Sequence, residues 1–591
     1  MSKKARGQLR RSQVITTWGP GALLDLPRHS AIIGGLEFWP KTADLDEIPE
    51  RRLRHKLRGM TAGGVPPRFY APPADPRDAK KGIRAWRFPE WFVVQEKDDA
   101  ASVRSRRLVY RTALDRSRFE GLQVVPTRFV RGCPRGHVDD IDWKGFVHQG
   151  ESCGRKDLRI EERGTSGDLA DLIVTCGCGK RRSLHDASMP GPLGVCHGRM
   201  PWLGRGVHED CNRPSRLLIR TAANAYFAQV VSVLSLPDHA TEVQRAVRDL
   251  WDDLQIVDTA EELTTLKKKP RIAAALEAFA DTDVMAAIAF EKGGSSDDRP
   301  TKVAELDTLL SVPEGFGDDV PIDPDFHARR LPESVWRHSG RYEGIESVTQ
   351  LHRLREVQAL AGFTRFEAVT PDINGDYESD VERARLAEEP TWFPAVENRG
   401  EGIFLKLRPE SVNHWLARPG VLKRLQYLAD GHKRWMAGRK TPRDFPGGPY
   451  ILLHTLSHLL IQSLAMRCGY PASSIRERVY TDAERGRFGL LLYTGSPDAE
   501  GTLGGLVQQA RQIEGHLKHA LRNGALCSND PICAQHAPGE SMEQRWLHGA
   551  ACHGCTLVGE TSCEMRNDYL DRALVVPALG VPDAAFFGAA E

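Results

Sequence analysis

The sequence predicts a mixed α/β (α+β) fold of several domains: a β-leaning N-terminal part, a cysteine-rich insert, a helical middle and a C-terminal α/β domain that carries a second thiol cluster. Three observations carry this expectation. The length of 591 residues corresponds to about four domains at roughly 150 residues each. The texture of the chain changes from short apolar runs between loops to longer helical patterns. Eleven of the twelve cysteines fall into two clusters.

Composition narrows the class. With 40% hydrophobic and 27% charged residues, the chain has the balance of a globular protein. Gly 54 and Pro 37 stay well under the share of about 25–30% that marks disordered or collagen-like chains. The most apolar stretch, Tyr450 to Ala465, is interrupted by His454, Ser457, His458, Gln462 and Ser463, whereas a membrane span needs about 18 apolar residues or more. The N-terminal Lys and Arg residues are not followed by the apolar core of a secretory signal. A cytoplasmic protein without membrane contact is therefore expected. In a reducing compartment, clustered thiols serve more often as metal ligands than as disulfides.

From residue 1 to 130, runs such as Ala31-Ile-Ile and Trp91-Phe-Val-Val-Gln predict strands, with a Pro/Gly-rich loop from Gly63 to Pro76. Residues 131–215 form the cysteine-rich region. Over 216–292, Ala222, Tyr226, Val230 and Val233 recur at helical spacing, and Val243-Gln-Arg-Ala-Val-Arg-Asp-Leu-Trp continues that pattern. Residues 293–300, Gly-Gly-Ser-Ser-Asp-Asp-Arg-Pro, predict a flexible linker. In the middle region 301–444, His352 to Leu360 reads as a helix ending near Gly362, and Gly402 to Leu407 as a strand. In the last region, 445–591, Pro449 to Cys468 predicts a largely buried helix, Phe488 to Thr494 a strand, and Gly505 to Arg522 a helix leading into the second thiol cluster.

That C-terminal cluster holds Cys527, Cys533, Cys552, Cys555 and Cys563. The Cys552-His-Gly-Cys555 knuckle lets two thiolates grip one ion from a tight turn, with Gly554 easing the turn. Another pair from a neighbouring loop completes a tetrahedral Cys₄ shell around Zn²⁺. Five thiols compete for four places. A thiol-only shell is closed, so the expected role is structural.

The earlier cluster offers Cys133, His137, Cys153, Cys176, Cys178, Cys196 and Cys211, seven ligands for one zinc ion with spares or for two with sharing. Net charge is only +2, yet residues 101–137 carry nine arginines against two acids. Arg104, Arg106 and Arg107, together with Lys180, Arg181 and Arg182 beside Cys178, are candidate nucleic-acid contacts. A solvated face neutralised by acids from elsewhere in the fold would produce the same pattern.

Other constellations point away from catalysis. His454 and His458 share one helix face and could bind a metal in a hydrolase or nuclease. The zinc-protease signature, though, requires Glu after the first histidine, and Thr455 stands there; hydrogen-bonded buried histidines are the better expectation. Asp498-Ala-Glu-Gly-Thr-Leu-Gly-Gly505 is a glycine-rich turn into a helix, but no phosphate loop, Ser nucleophile elbow or deaminase motif is present. The sequence predicts a non-enzyme.

The motifs Leu453-His-Thr-Leu-Ser-His-Leu-Leu, Asp498 to Leu506, Gly549-Ala-Ala-Cys-His-Gly-Cys555 and Glu560-Thr-Ser-Cys-Glu-Met-Arg-Asn-Asp-Tyr-Leu-Asp-Arg572 resemble the zinc-binding domain at the C-terminus of MrfA-type DNA helicases. Leu9 to Pro27, Cys133-Pro-Arg-Gly-His137, Pro201-Trp-Leu-Gly204 and Leu354-Arg-Glu-Val extend the resemblance to the DrmB family of the bacterial DISARM anti-phage system. That resemblance implies a non-catalytic subunit in a heterodimer with a DrmA-like superfamily-two helicase that supplies the ATPase and engages DNA with it, including DNA with single-stranded ends. It also implies a zinc role for Cys552, Cys555 and Cys563, with Cys527 and Cys533 competing for the last place. A pure scaffold that binds the helicase without touching DNA is the alternative.

Overall fold

The computed structural model describes residues 9–26, 29–74, 82–95, 103–114, 123–151, 153–155, 157–163, 166–236, 242–292, 300–316, 325–369, 371–375, 377, 382–437, 443–494, 505–538 and 545–588. The expected linker 293–300, apart from its last residue Pro300, and most of the glycine-rich turn 498–505 lie outside them. The fold is mixed, with antiparallel sheets and helices distributed over two compact units. One comprises 1–232, 358–370 and 379–396; the other comprises 233–357, 371–378 and 397–591.

The first unit is dominated by strands. Its largest sheet runs in the order Arg181–Ser183, Leu172–Cys176, Leu158–Arg163, Val103–Tyr110, Trp91–Gln95, Gln123–Pro126. Alternation builds its core: Leu158 and Ile160 are buried while Arg159 and Glu161 turn the other way. Onto the buried face packs the short helix Trp143–His148, which delivers Trp143, Phe146 and Val147. Asp142 starts this helix by accepting a hydrogen bond from Gly145 N, and Gln149 ends it in the left-handed conformation at φ 54°. Arg365, fully buried, donates to the carbonyls of Gly136 and Gly21 at 2.8 and 2.7 Å, tying loops of this unit together.

The second unit opens with a helical group from Glu242–Asp249 to Asp281–Lys292 around Val247, Leu254, Leu263, Ile272, Leu276 and Ile288. Its sheet contains parts of two long strands, Ile345–Thr364 and Trp392–Leu407, followed by Arg487–Thr494 and Ile475–Asp482. Against Ile475–Asp482 and Arg487–Thr494 lies the expected apolar helix, now bounded as Gly447–Cys468. It is buried all round, from Tyr450 through Leu464 with few breaks, which is why it shows no amphipathic stripe. The helix Ile513–Gly524 packs on it closely: a Cβ on Gly524 would sit 2.8 Å from Leu459 Cδ1.

Two expected helices are strands. In place of a helix through Ala222 to Val233 there is the strand Phe227–Leu234. Val231 and Val233 are buried while Val230 and Ser232 are half-buried, so the β-branched run obeys period two and the helical spacing was coincidental. His352 to Leu360 belongs to the strand Ile345–Thr364, whose residues from Leu354 onward are all buried. A strand covered on both faces loses its alternation and cannot be told from a helix by pattern alone. Its charged residues are tolerated because they are paired: Arg355 with Glu397 at 2.8 Å, and Glu356 with Arg476 at 3.1 Å and the Tyr493 hydroxyl at 2.9 Å. Among the described residues, no helix is long and apolar enough to cross a membrane.

Candidate metal centres

Among the described residues, four groups of side chains converge, each with ligand atoms within 4.8 Å of one another. All twelve cysteines are free thiols.

At the C-terminus, the helix Ile513–Gly524 ends and feeds the chain into Cys527 and Cys533, which meet the Cys552–Cys555 knuckle. Cys527 and Cys552 sulfurs are 3.4 Å apart, Cys552 and Cys555 3.6 Å, and Cys533 and Cys555 3.7 Å. A tetrahedron with ligand bonds of about 2.3 Å has edges of roughly 3.8 Å, so one zinc ion fits this shell. Asn529 N and Asn529 Nδ2 donate to the sulfurs of Cys527 and Cys552 at 3.4 and 3.3 Å. The Cys533 thiol donates to Cys555 and draws its pKa down to about 5, while Cys533 itself is pushed up. A Cβ on Gly554 would crowd Ser528 Oγ at 3.2 Å, so the knuckle uses a residue without one.

The loop is anchored by buried charge. Arg572 donates to the carbonyls of Gly524 and Ala525 at 3.0 and 3.2 Å and pairs with Asp530. Asp571 holds Arg424 at 2.6 Å. Of the five competing thiols, Cys527, Cys533, Cys552 and Cys555 converge, whereas Cys563 lies in a different group. The chain returns to the helix Gly447–Cys468 before Cys563, and its sulfur lies 3.1 Å from His454 Nε2.

The earlier cluster resolves into two groups. Cys133, His137, Cys196 and Cys211 form one; Cys153, Cys176, Cys178 and His148 form the other. In the first, a tight turn between the strands Phe129–Gly132 and Val138–Asp139 presents Cys133 and His137. Gly136 at φ 87° completes the turn. His137 Nδ1 lies 3.3 Å from the Cys133 sulfur and 3.6 Å from the Cys196 sulfur, while its Nε2 is held by Glu209 at 2.9 Å, as expected of a metal-ligating imidazole. Sharing a proton with Cys133 draws Cys196 down to about 4.

In the second group, His148 Nε2 is 3.2 Å from the Cys178 sulfur and its Nδ1 lies 2.7 Å from the Lys144 carbonyl. The backbone N–H of Lys180, and then His148, lower Cys178 to about 6. His148 was missed from the sequence. The signal was the count: seven ligands are one short of two complete shells, and His148 is the histidine nearest to Cys153.

The basic residues separate by strand parity. Across the large sheet, Arg106, Ile160, Val174 and Arg182 occupy one row, and Arg107, Arg159, Thr175 and Arg181 the next. The first row faces the core side: Arg106 pairs with Glu162 at 2.6 Å, and Arg182 with Asp186 at 3.0 Å, its guanidinium over the Phe146 ring. The second row is on the outer face, where Arg181 reaches Glu161 at 3.5 Å. Lys180 pairs with Glu151 at 2.9 Å, and Arg104 is exposed. Arg159 joins the candidates through its register between Arg107 and Arg181.

The fourth group, His454, His458, Glu477 and Cys563, is buried throughout. Burial of both histidines agrees with the sequence expectation, but their Nε2 atoms converge rather than disperse.

Residues 456–556 match the MrfA Zn-binding domain, and residues 10–227 match a domain of unknown function, DUF8724. Together with the Cys₄ geometry inside the first of these, this makes the chain a zinc-binding protein. Over 483 residues the chain is 31% identical to the DISARM protein DrmB of Bacillus paralicheniformis (strain ATCC 9945a / NCIMB 11709 / CD-2), covering 78% of this chain and 82% of that relative. The chain therefore belongs to the DrmB family of DISARM proteins.

Proposed function

We propose that this protein is a non-catalytic, zinc-stabilised subunit of a cytoplasmic anti-phage assembly, in which it pairs with a DrmA-like superfamily-two helicase and helps that partner hold DNA. The observation that carries this reading is the Cys₄ shell at 527–555 within a region similar to the zinc-binding domain of MrfA, in a chain of the DrmB family. A closed thiolate shell leaves no coordination place for a substrate, so zinc shapes a surface rather than performing chemistry. In this reading DNA contacts the outer-face row Arg107, Arg159 and Arg181, with Lys180 beside it; Arg104 is exposed but shares the strand face of Arg106. Arg106 and Arg182 act inward, as braces. The hydrolase alternative loses support because His454 and His458 are both 0% exposed, out of reach of a phosphodiester.

Co-expression with a DrmA-like helicase tests the pairing: a stable complex is expected on size-exclusion chromatography, and separate elution would refute it. Phosphate contacts make DNA affinity fall steeply with salt. Replacing Arg107, Arg159 and Arg181 by Gln is expected to weaken binding by the complex and to flatten its salt slope by up to about three counterions. An unchanged slope would leave the scaffold reading standing.

A further inference from the structure

The cluster His454, His458, Glu477 and Cys563 has no part in the function proposed above. We infer that it is a fourth metal centre, a closed His₂GluCys site that takes one zinc ion and staples three elements of the second unit. His454 and His458 come from one face of the helix Gly447–Cys468, Glu477 from the strand Ile475–Asp482, and Cys563 from the C-terminal segment.

Hydrogen bonding dictates what the centre lacks. His458 Nδ1 lies 2.9 Å from the Thr556 carbonyl, and His454 Nδ1 3.3 Å from the Tyr569 carbonyl. A carbonyl only accepts, so each Nδ1 carries the proton and each Nε2 is left with its lone pair. Both Nε2 atoms then face the same carboxylate oxygen, Glu477 Oε1, at 2.9 Å from His454 and 3.3 Å from His458. The Cys563 sulfur completes the group. It accepts from the backbone N–H groups of Met565 and Asn567 at 3.4 and 3.1 Å. The other oxygen of Glu477 is held by the Ser457 hydroxyl.

Four potential ligand atoms thus converge in a pocket closed to water, where Glu477 Oε1 also accepts from the Glu564 N–H at 3.4 Å. Two imidazolium rings could supply the missing donors, but their centroids are only 4.7 Å apart, and a pair of like charges in a buried site is costly. A divalent cation removes the conflict, because its two charges match one carboxylate and one thiolate. Imidazole with thiolate suits zinc over calcium or magnesium, and each histidine already has the carbonyl partner that orients a metal-bound imidazole. The i to i+2 N–H···S bond at Cys563 recurs at Cys153, Cys196 and Cys527, ligands of the three sulfur-rich centres. With four ligands and no exposed edge, the site is structural.

Counting metal in the full-length protein, purified with zinc supplementation and dialysed, tests this inference. Four zinc ions per chain are expected by elemental analysis, against three if the cluster is only hydrogen-bonded. Glu477→Gln and Cys563→Ser should each hold three, Cys533→Ser should also hold three by loss from the Cys₄ shell, and Cys533→Ser with Cys563→Ser should hold two. A wild-type count of three, or a count unchanged by Glu477→Gln and Cys563→Ser, overturns the proposal. The wild-type count decides even where a variant fails to fold.

Discussion

Buried charge at single residues carries much of the second unit's specificity. Glu305 is completely buried and accepts from Arg478 Nη2 at 3.0 Å, Tyr480 OH at 3.1 Å and Leu234 N at 3.0 Å. Removing one partner of such a pair leaves the other charge stranded, at a cost of about 3–5 kcal/mol. Glu305→Ala is therefore expected to lower the midpoint of urea unfolding sharply, whereas Glu314→Ala, at an exposed pair with Arg330, should shift it by less than about 1 kcal/mol. None of this was legible in the sequence, where Glu305 is one acid in an ordinary helical pattern. The thiols were legible because Cys552 and Cys555 announce themselves by local spacing. Glu477 was not: its role depends on burial beside a helix some twenty residues earlier in the chain, and no short-range rule records that.

Elements were readable where one principle dominated. The helix Gly447–Cys468 and the strand Arg487–Thr494 appeared in the sequence because length separates a long apolar helix from a short apolar strand. The strand Ile345–Thr364 was hidden because tertiary cover erased its alternation, and Phe227–Leu234 because four apolar residues happened to fall at helical spacing. Packing between elements adds a test. At Gly524, alanine would improve helix propensity by about 1 kcal/mol, but its Cβ would press on Leu459, a side chain only 1% exposed. Overpacking of this kind costs about 1–3 kcal/mol, so Gly524→Ala is expected to be neutral to destabilising in a thermal melt. A stabilised variant would show that the two helices separate easily.

For the whole molecule, metal content and thiol chemistry should move together. Eleven of the twelve cysteines lie in the four candidate centres found among the described residues, and Cys468 lies in none of them. The native, metal-loaded chain is expected to yield about one thiol to an alkylating reagent, and all twelve once a strong chelator is added, because metal-binding free energy is folding free energy at such sites. Rapid labelling of several thiols before chelation would contradict this. Both units should respond, since each contains two of the centres.

The two centres of the first unit are threaded one inside the other, like a bracket within a bracket: the segment from His148 to Cys178 lies wholly between His137 and Cys196. A chain emerging from the ribosome therefore possesses every ligand of the inner pocket before either late thiol of the outer one has been made. Assembly in vivo should proceed from the inside outward, and nascent chains stalled just beyond the inner set should already carry a single ion.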